Sequence, residues 1–245
     1  CYMINFLEDG ETMSIKKNTK YCYTPGQRFE VHGSREYDFG DKRLPSVTTI
    51  LSRTKDQAFL EKWKARVGEA KAEEIKNHSS KRGTSMHKFL ENHISDIGYD
   101  DLSSIGHEAR PMAQKIIDQG LINITEYYGS EVTLFYPDLY AGSTDLVCLH
   151  DNVEAIVDFK QSNRPKREEW IEDYYMQIAA YAMAHNVMFP RNSKIEKGVI
   201  MVCTPDLYYQ EFVVEGSKLQ KYYWQFLDRL SQYLDQSVAK TRQNT

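Results

Sequence analysis

A chain of 245 residues with 41% hydrophobic content can bury the core of one large domain or two small ones. Its formal net charge of −4 excludes a globally basic nucleic-acid-binding surface, so a polyanion site must be a local basic patch or one aided by metal. Cys1, Cys22, Cys148 and Cys203 form no C-x-x-C pair, which argues against a zinc module, an iron–sulfur cluster or a disulfide framework and suits a reducing cytosol.

No apolar run approaches the roughly 20 residues of a membrane span, and no signal-peptide pattern opens the chain. A cytoplasmic protein with no membrane partner is expected, its start at Met3 or upstream of the opening Cys-Tyr-Met. Residues 1–45 read as short strands and turns, with a hairpin around Pro25-Gly26. The run 45–51 carries hydroxyls suited to capping a following helix. Phe59, Leu60, Trp63, Val67, Ala70 and Ile75 recur at helical spacing and predict a helix over 55–76. Residues 79–84 read as a break, with Lys81 and Arg82 placed to meet a phosphate at the start of a second helix over 85–97. On that helix His87 and Glu91 stand at i, i+4 and can point at one target. A third helix, 107–120, ends at Gly120.

Three β-rich runs follow. Asp151-Asn152 suits a two-residue hairpin turn, which pairs His150 with Val153 and, counting back, sets Asp145 opposite Asp158. A three-residue loop at Pro137-Asp138-Leu139 pairs Tyr136 with Tyr140 and sets Glu131 opposite Asp145. Alternation puts Lys160 on the face of Asp158, with Val157 and Phe159 on the other. Like charges directly opposed destabilise a sheet. Either this is a solvated acidic face, or a divalent cation reverses the sign by taking carboxylate oxygens.

Beyond Lys160 a cation-rich loop leads to a long helix over 166–187 in which Trp170, Tyr174, Gln177 and Tyr181 share one face. Ile178, Ala179, Ala182 and Met183 supply its ordinary packing face. Residues 195–204 form an apolar run typical of a buried parallel strand. A strand–helix–strand crossover therefore joins it to the run 153–160. Residues 208–214 return antiparallel, and a last helix from Ser217 to about Ala239 turns Leu219, Tyr223, Phe226, Leu230 and Leu234 inward.

Gly142-Ser-Thr-Asp145, Asp158-Phe-Lys160 and Gln177-x-x-x-Tyr181 follow Arg82-Gly-Thr-Ser-Met-His87 in order. This series resembles the motifs of the PD-(D/E)XK nuclease superfamily, in particular its RecB-type exonuclease branch. The 45–51 run and the Trp63 helix are similar to those of the mitochondrial genome maintenance exonuclease and its compact phage relatives. The resemblance runs from about Pro45 to Tyr181. It implies an α/β fold with a restriction-endonuclease-like core, a mixed central sheet flanked by helices. One nuclease domain would cover residues 1–245, with a β-rich extension over 1–45.

The resemblance further implies a metal-dependent DNA exonuclease that hydrolyses phosphodiester bonds, on single-stranded DNA or DNA ends, in DNA processing, repair or degradation. One or two Mg²⁺ or Mn²⁺ ions would be held by Asp145, Asp158, His87 and the carbonyl of Phe159. Lys160 would be catalytic, and Glu131 a further ligand or a holder of water. Gln177 and Tyr181 would contact substrate or orient the lysine, and Arg82, Arg164 and Lys166 would contact phosphates. The partner would be DNA in a bacterial or phage-infected cell, alongside unnamed replication or repair proteins. Many RecB-type nucleases hold an iron–sulfur cluster through four cysteines; that pattern is missing, so no cluster is expected. A restriction-like endonuclease and a non-catalytic nucleic-acid-binding module of the same fold are the competing readings.

Overall fold

The computed structural model describes residues 14–31, 33–40 and 42–243; the first part of the expected N-terminal β-region lies outside them. In chain order the elements are β1 (Lys16–Lys17), β2 (Gln27–Val31), β3 (Ser34–Asp38), β4 (Arg43–Pro45), α1 (Val47–Arg53), α2 (Ala58–Val67), α3 (Glu69–Ile94) and α4 (Ser104–Gln119). There follow β5 (Ile124–Tyr136), β6 (Tyr140–His150), β7 (Val153–Gln161), α5 (Glu172–Met188), β8 (Lys197–Cys203), β9 (Tyr209–Glu215) and α6 (Gly216–Gln243). The central sheet has the order β1-β5-β6-β7-β8-β9, and β2-β3-β4 form a small separate sheet. Pairings β1–β5 and β7–β8 are parallel and the rest antiparallel. This is a mixed α/β architecture with a central mixed sheet flanked by helices, as expected. Among the described residues no helix is long and apolar enough to cross a membrane.

Period-two alternation divides the sheet between two cores. Leu146, Cys148, Val157, Phe159, Val199 and Met201 pack with Met86 and Leu90 of α3 and Met112 and Ile116 of α4. Val147, Ile156, Ile200 and Val202 pack on the other face with Ile50 of α1, Ile178 of α5 and Phe226 of α6. Each such side chain contributes about 1.5–3 kcal/mol by leaving water. With both faces covered, β8 is buried along its whole length, which explains its unbroken apolar run.

The turn at Asp151-Asn152 has φ of 49° and 63°, the left-handed pair of a two-residue hairpin. Ser46 caps α1, its Oγ accepting from the Thr49 N–H at 3.0 Å, so the 45–51 run is the start of a helix and not a prelude to one.

Five expectations fail locally. The first hairpin turns between Val31 and Ser34, not at Pro25-Gly26. The 55–76 helix is interrupted at Gly68, whose φ of 85° an L-residue resists. By contrast α3 runs unbroken through 79–84, because buried Arg82 finds partners in Gln161, Asn163 and Glu108 at mid-helix. Trp170 precedes α5 in a 3-10 turn and is exposed, and Leu234 faces solvent.

Candidate metal and phosphodiester site

The site forms where β6 and β7 part. They pair from His150↔Val153 to Leu146↔Val157, the register expected from the turn. Beyond that, β7 continues against β8 and β6 against β5. Side chains bridge the fork: Asp145 Oδ2 accepts from the Phe159 N–H at 2.6 Å, and Thr144 Oγ donates to the Val157 carbonyl at 3.3 Å. A backbone donor that has lost its strand partner thus gains a carboxylate. The Asp145–Asp158 opposition falls just past the last paired residues. Glu131 is also missing from its rung between Ser130↔Leu146 and Val132↔Thr144, because its φ of 52° takes it out of the strand conformation.

Helix α3 aims His87 into the fork, its Nδ1 3.0 Å from Asp145 Oδ1. One donor atom each from His87, Glu131 and Asp145 lies within 4.8 Å of the others. Asp158 stands beside this trio and is otherwise engaged. Its Oδ2 is ion-paired with Lys160, and Gln177 Nε2 donates to its Oδ1 at 3.3 Å and reaches the Tyr181 hydroxyl at 3.1 Å. The expected row of three acids is therefore a pair of acids with a histidine, next to an aspartate–lysine pair. Both clusters arise because the strands diverge.

Burial opposes charge on His87, but the charge and hydrogen bond of Asp145 outweigh it and lift the imidazole pKa to about 9. Asp145, though buried, is correspondingly held below the ordinary carboxylate value by His87. Burial pushes Asp158 up against the pull of Lys160, and the two aspartates hold the buried Lys160 ammonium above its usual value. Glu131 reaches solvent at its surface, yet loss of hydration, and next the Asp145 charge, raise it to about 7. Its Oε2 accepts from Ser143 Oγ at 3.4 Å.

A hard divalent cation suits this donor set: two carboxylates and an imidazole converge where the negative charge outweighs what His87 and Lys160 neutralise. The proton on His87 is the counter-charge that such an ion would replace.

Gln177 and Tyr181 of α5 are both buried and turned towards Asp158, so neither is an outward-facing nucleic-acid contact. Gly142 is needed beneath Tyr181, since a Cβ there would sit 2.5 Å from the tyrosine ring. Arg82 is also turned inward, 5% exposed, gripping Gln161 Oε1 at 2.9 Å, Glu108 at 3.2 Å and Asn163. It is spent on holding α3 to the end of β7 and not on a phosphate. Arg164 is exposed; Lys166 is half-buried, its ammonium held below its usual value by burial and by Lys55.

The sequence assigns no separate role to Thr144, Ser143 or Tyr174, whose ring lies 5.2 Å from Lys160 Nζ. Tyr174 carried a signal in its spacing from Gln177 and Tyr181. Thr144 carried none, because its role depends on where β6 and β7 part.

No protein-family model matches the chain, and no curated protein matches it. Among solved structures it is similar to a candidate exonuclease from Eubacterium rectale, at 14% identity over 64% of this chain and 66% of that one, with a TM-score of 0.48. It is also similar to an alkaline exonuclease from Laribacter hongkongensis, at 14% identity over 64% of this chain and 84% of that one, with a TM-score of 0.30. The latter's complex with dAMP gives 13% identity and a TM-score of 0.29. Overlap this low carries no residue correspondence, and the chemistry of the site rests on its own geometry.

Proposed function

We propose that the protein is a metal-dependent deoxyribonuclease, an exonuclease of the RecB-type PD-(D/E)XK kind built as one domain, acting on single-stranded DNA or DNA ends. The observation that carries the reading is the fork itself, where His87, Glu131 and Asp145 converge beside the Asp158–Lys160 pair. Asp145, His87 and Glu131 would hold a Mg²⁺ or Mn²⁺ ion, and Asp158, with the Phe159 carbonyl, would serve a second or shared ion on giving up its Lys160 or Gln177 contact. A bound ion supplies Lewis acidity and a lower pKa for coordinated water.

The chain's own groups do the rest. Lys160, charged and held on Asp158, orients the attacking water and donates to a non-bridging oxygen of the scissile phosphate as charge builds there. Gln177 fixes the Asp158 carboxylate, and Tyr181 fixes Gln177, so both are positioning residues. Asp145 does double duty, since its second oxygen holds the Phe159 backbone and with it the start of the Asp158–Lys160 segment.

Incubation with Mg²⁺ or Mn²⁺ of end-labelled linear DNA and of covalently closed circles tests the reading. Nucleotides released from the linear strand, with circles left intact, are the expected result. Cleavage of the circles would replace the exonuclease by an endonuclease, and no cleavage of either would leave a non-catalytic binding module.

A further inference from the structure

Nine residues separate Lys160 from Trp170, and they form a strap whose backbone is clamped at several points. The Ser162 N–H donates to the Cys203 carbonyl at 3.1 Å, and Ser162 Oγ donates to the Arg164 carbonyl at 2.6 Å. Gln210 of β9 holds Lys166 from both sides, accepting from its N–H at 2.7 Å and donating to its carbonyl at 2.9 Å. At its start, buried Arg82 grips Gln161 and Asn163. Connecting segments are ordinarily the mobile part of a surface; this one is fixed by side chains from α3 and β9.

On that fixed base Arg164, Arg167 and Trp170 face solvent. The indole is 58% exposed, with the Arg167 guanidinium carbon 5.1 Å from its ring centroid. Scattered surface aromatics need no explanation, and Trp224 on α6 is another. Trp170 differs in where the chain leads next. Tyr174 follows four residues on, in the first turn of α5, and its ring lies 5.2 Å from the Lys160 ammonium. An exposed indole, a half-buried phenol and the amine of the phosphodiester site thus succeed one another along one segment.

Two acids temper the strap's positive charge. Glu168 is engaged by Lys218 and the Tyr175 hydroxyl, each at 3.4 Å, and Glu169 lies 3.8 Å from Arg167. Arg164 has no acid beside it in the ion pairs of the described residues.

We propose that Trp170 is a stacking platform for a base of a single-stranded nucleic acid whose backbone crosses Arg164 and Arg167 on its way to Lys160. A rigid platform suits this use, since a base can stack on any π-face without sequence preference and loses less on binding when the ring is already held. A duplex keeps its bases stacked inside and offers none to the indole, so the platform selects for single strands. The inference rests on the reading of the fork as a phosphodiester site.

The test is fluorescence anisotropy of a labelled single-stranded DNA in EDTA, comparing wild type, Trp170→Ala and Trp170→Phe on an ordinary strand and on one with a central abasic stretch. On the ordinary strand Trp170→Ala is expected to bind about 5- to 150-fold more weakly, the range measured for losing one aromatic–base stack, while Trp170→Phe keeps most of the affinity. On the abasic strand the difference between wild type and Trp170→Ala should vanish. Binding by Trp170→Ala within twofold of wild type on the ordinary strand, or a loss that persists on the abasic one, overturns the proposal. Turnover is not needed for this measurement. A protein that binds through Trp170 without cleaving DNA would sink the nuclease reading alone, and one that cleaves DNA indifferent to Trp170 would sink this proposal alone.

Discussion

The β6–β7 hairpin has two ends, and both gather charge, with opposite consequences. At the closed end the ladder runs to the turn, and His150, 1% exposed, has its ring nitrogens each 3.3 Å from an oxygen of Asp151 or Glu211. Lys197 adds a cation, donating to the His150 carbonyl at 3.3 Å, and Tyr209 donates to Glu211 at 2.7 Å. At the open end the ladder has stopped, and three acids, Glu131, Asp145 and Asp158, stand with two basic side chains, His87 and Lys160. Where strands stay paired, each acid of the cluster has a basic side chain beside it, though neither buried His150 ring nitrogen makes an aligned hydrogen bond. Where they part, side chains bridge the gap left by the ladder, and three carboxylates gather around two basic groups, an excess of acids that a cation can use.

The largest effect should come from the open end. Lys160→Ala is expected to lower the rate of DNA hydrolysis by on the order of 10²–10⁴-fold, the usual worth of a positioned proton-transfer or charge-stabilising group, with Mn²⁺ binding retained in calorimetry. Full activity in that variant would remove Lys160 from the chemistry and the open end's claim to be a site.

A third histidine sharpens the contrast. His185 lies fully buried beside the Tyr23 hydroxyl at 3.1 Å. Burial, with a smaller opposing effect from Glu154, lowers its pKa to about 4. An unfolded histidine titrates near 6.5, so between pH 6.5 and 4 the unfolded chain binds more protons and stability falls as pH falls. The loss approaches about 3 kcal/mol once pH drops below the folded value. Denaturant unfolding should therefore show a shallower acid decline in His185→Phe than in wild type. An identical decline would mean His185 is hydrated. His87 has the opposite sign: its charged form is the one favoured by the fold.

Smaller effects probe how each end is built. Gly142→Ala places a methyl 2.5 Å from the Tyr181 ring, and overpacking of this kind costs about 1–3 kcal/mol. The unfolding midpoint should drop, and activity with it, because Tyr181 and Gln177 hold Asp158. At the closed end, Asn152→Gly relieves a left-handed residue of φ 63° and should stabilise the fold by about 0.5 kcal/mol, leaving DNA hydrolysis unchanged.

Much of this contrast was legible in the sequence. Both hairpin registers follow from turn residues that act locally, so His150↔Val153 and Tyr136↔Tyr140 could be counted outwards to Asp145. What counting cannot see is where a ladder ends. Glu131 leaves its strand by a left-handed φ, and Asp158 turns to Gln177 of α5 where β7 follows β8, so both expected acid oppositions dissolved into different partnerships. Helix α3 was misread for a related reason. Ser-Ser-Lys-Arg-Gly-Thr has poor local helix propensity, and its continuity depends on Arg82 meeting Gln161, Glu108 and Asn163 from distant parts of the chain. Motif order groups Arg82, Gln177 and Tyr181 with the fork, while their burial, which turns them inward and makes them supports, depends on the packed structure.

Calorimetric titration of Mn²⁺ into wild type and Asp145→Asn, read alongside hydrolysis of an end-labelled strand by the same samples, puts the central claim at risk most directly. One or two ions bound by the wild type, at least tenfold weaker binding in Asp145→Asn, and hydrolysis that appears with the ion and is lost in the variant are the outcome expected of a cation site at the open end. Hydrolysis that persists in a chelator, or Mn²⁺ binding that Asp145→Asn leaves untouched, would contradict it.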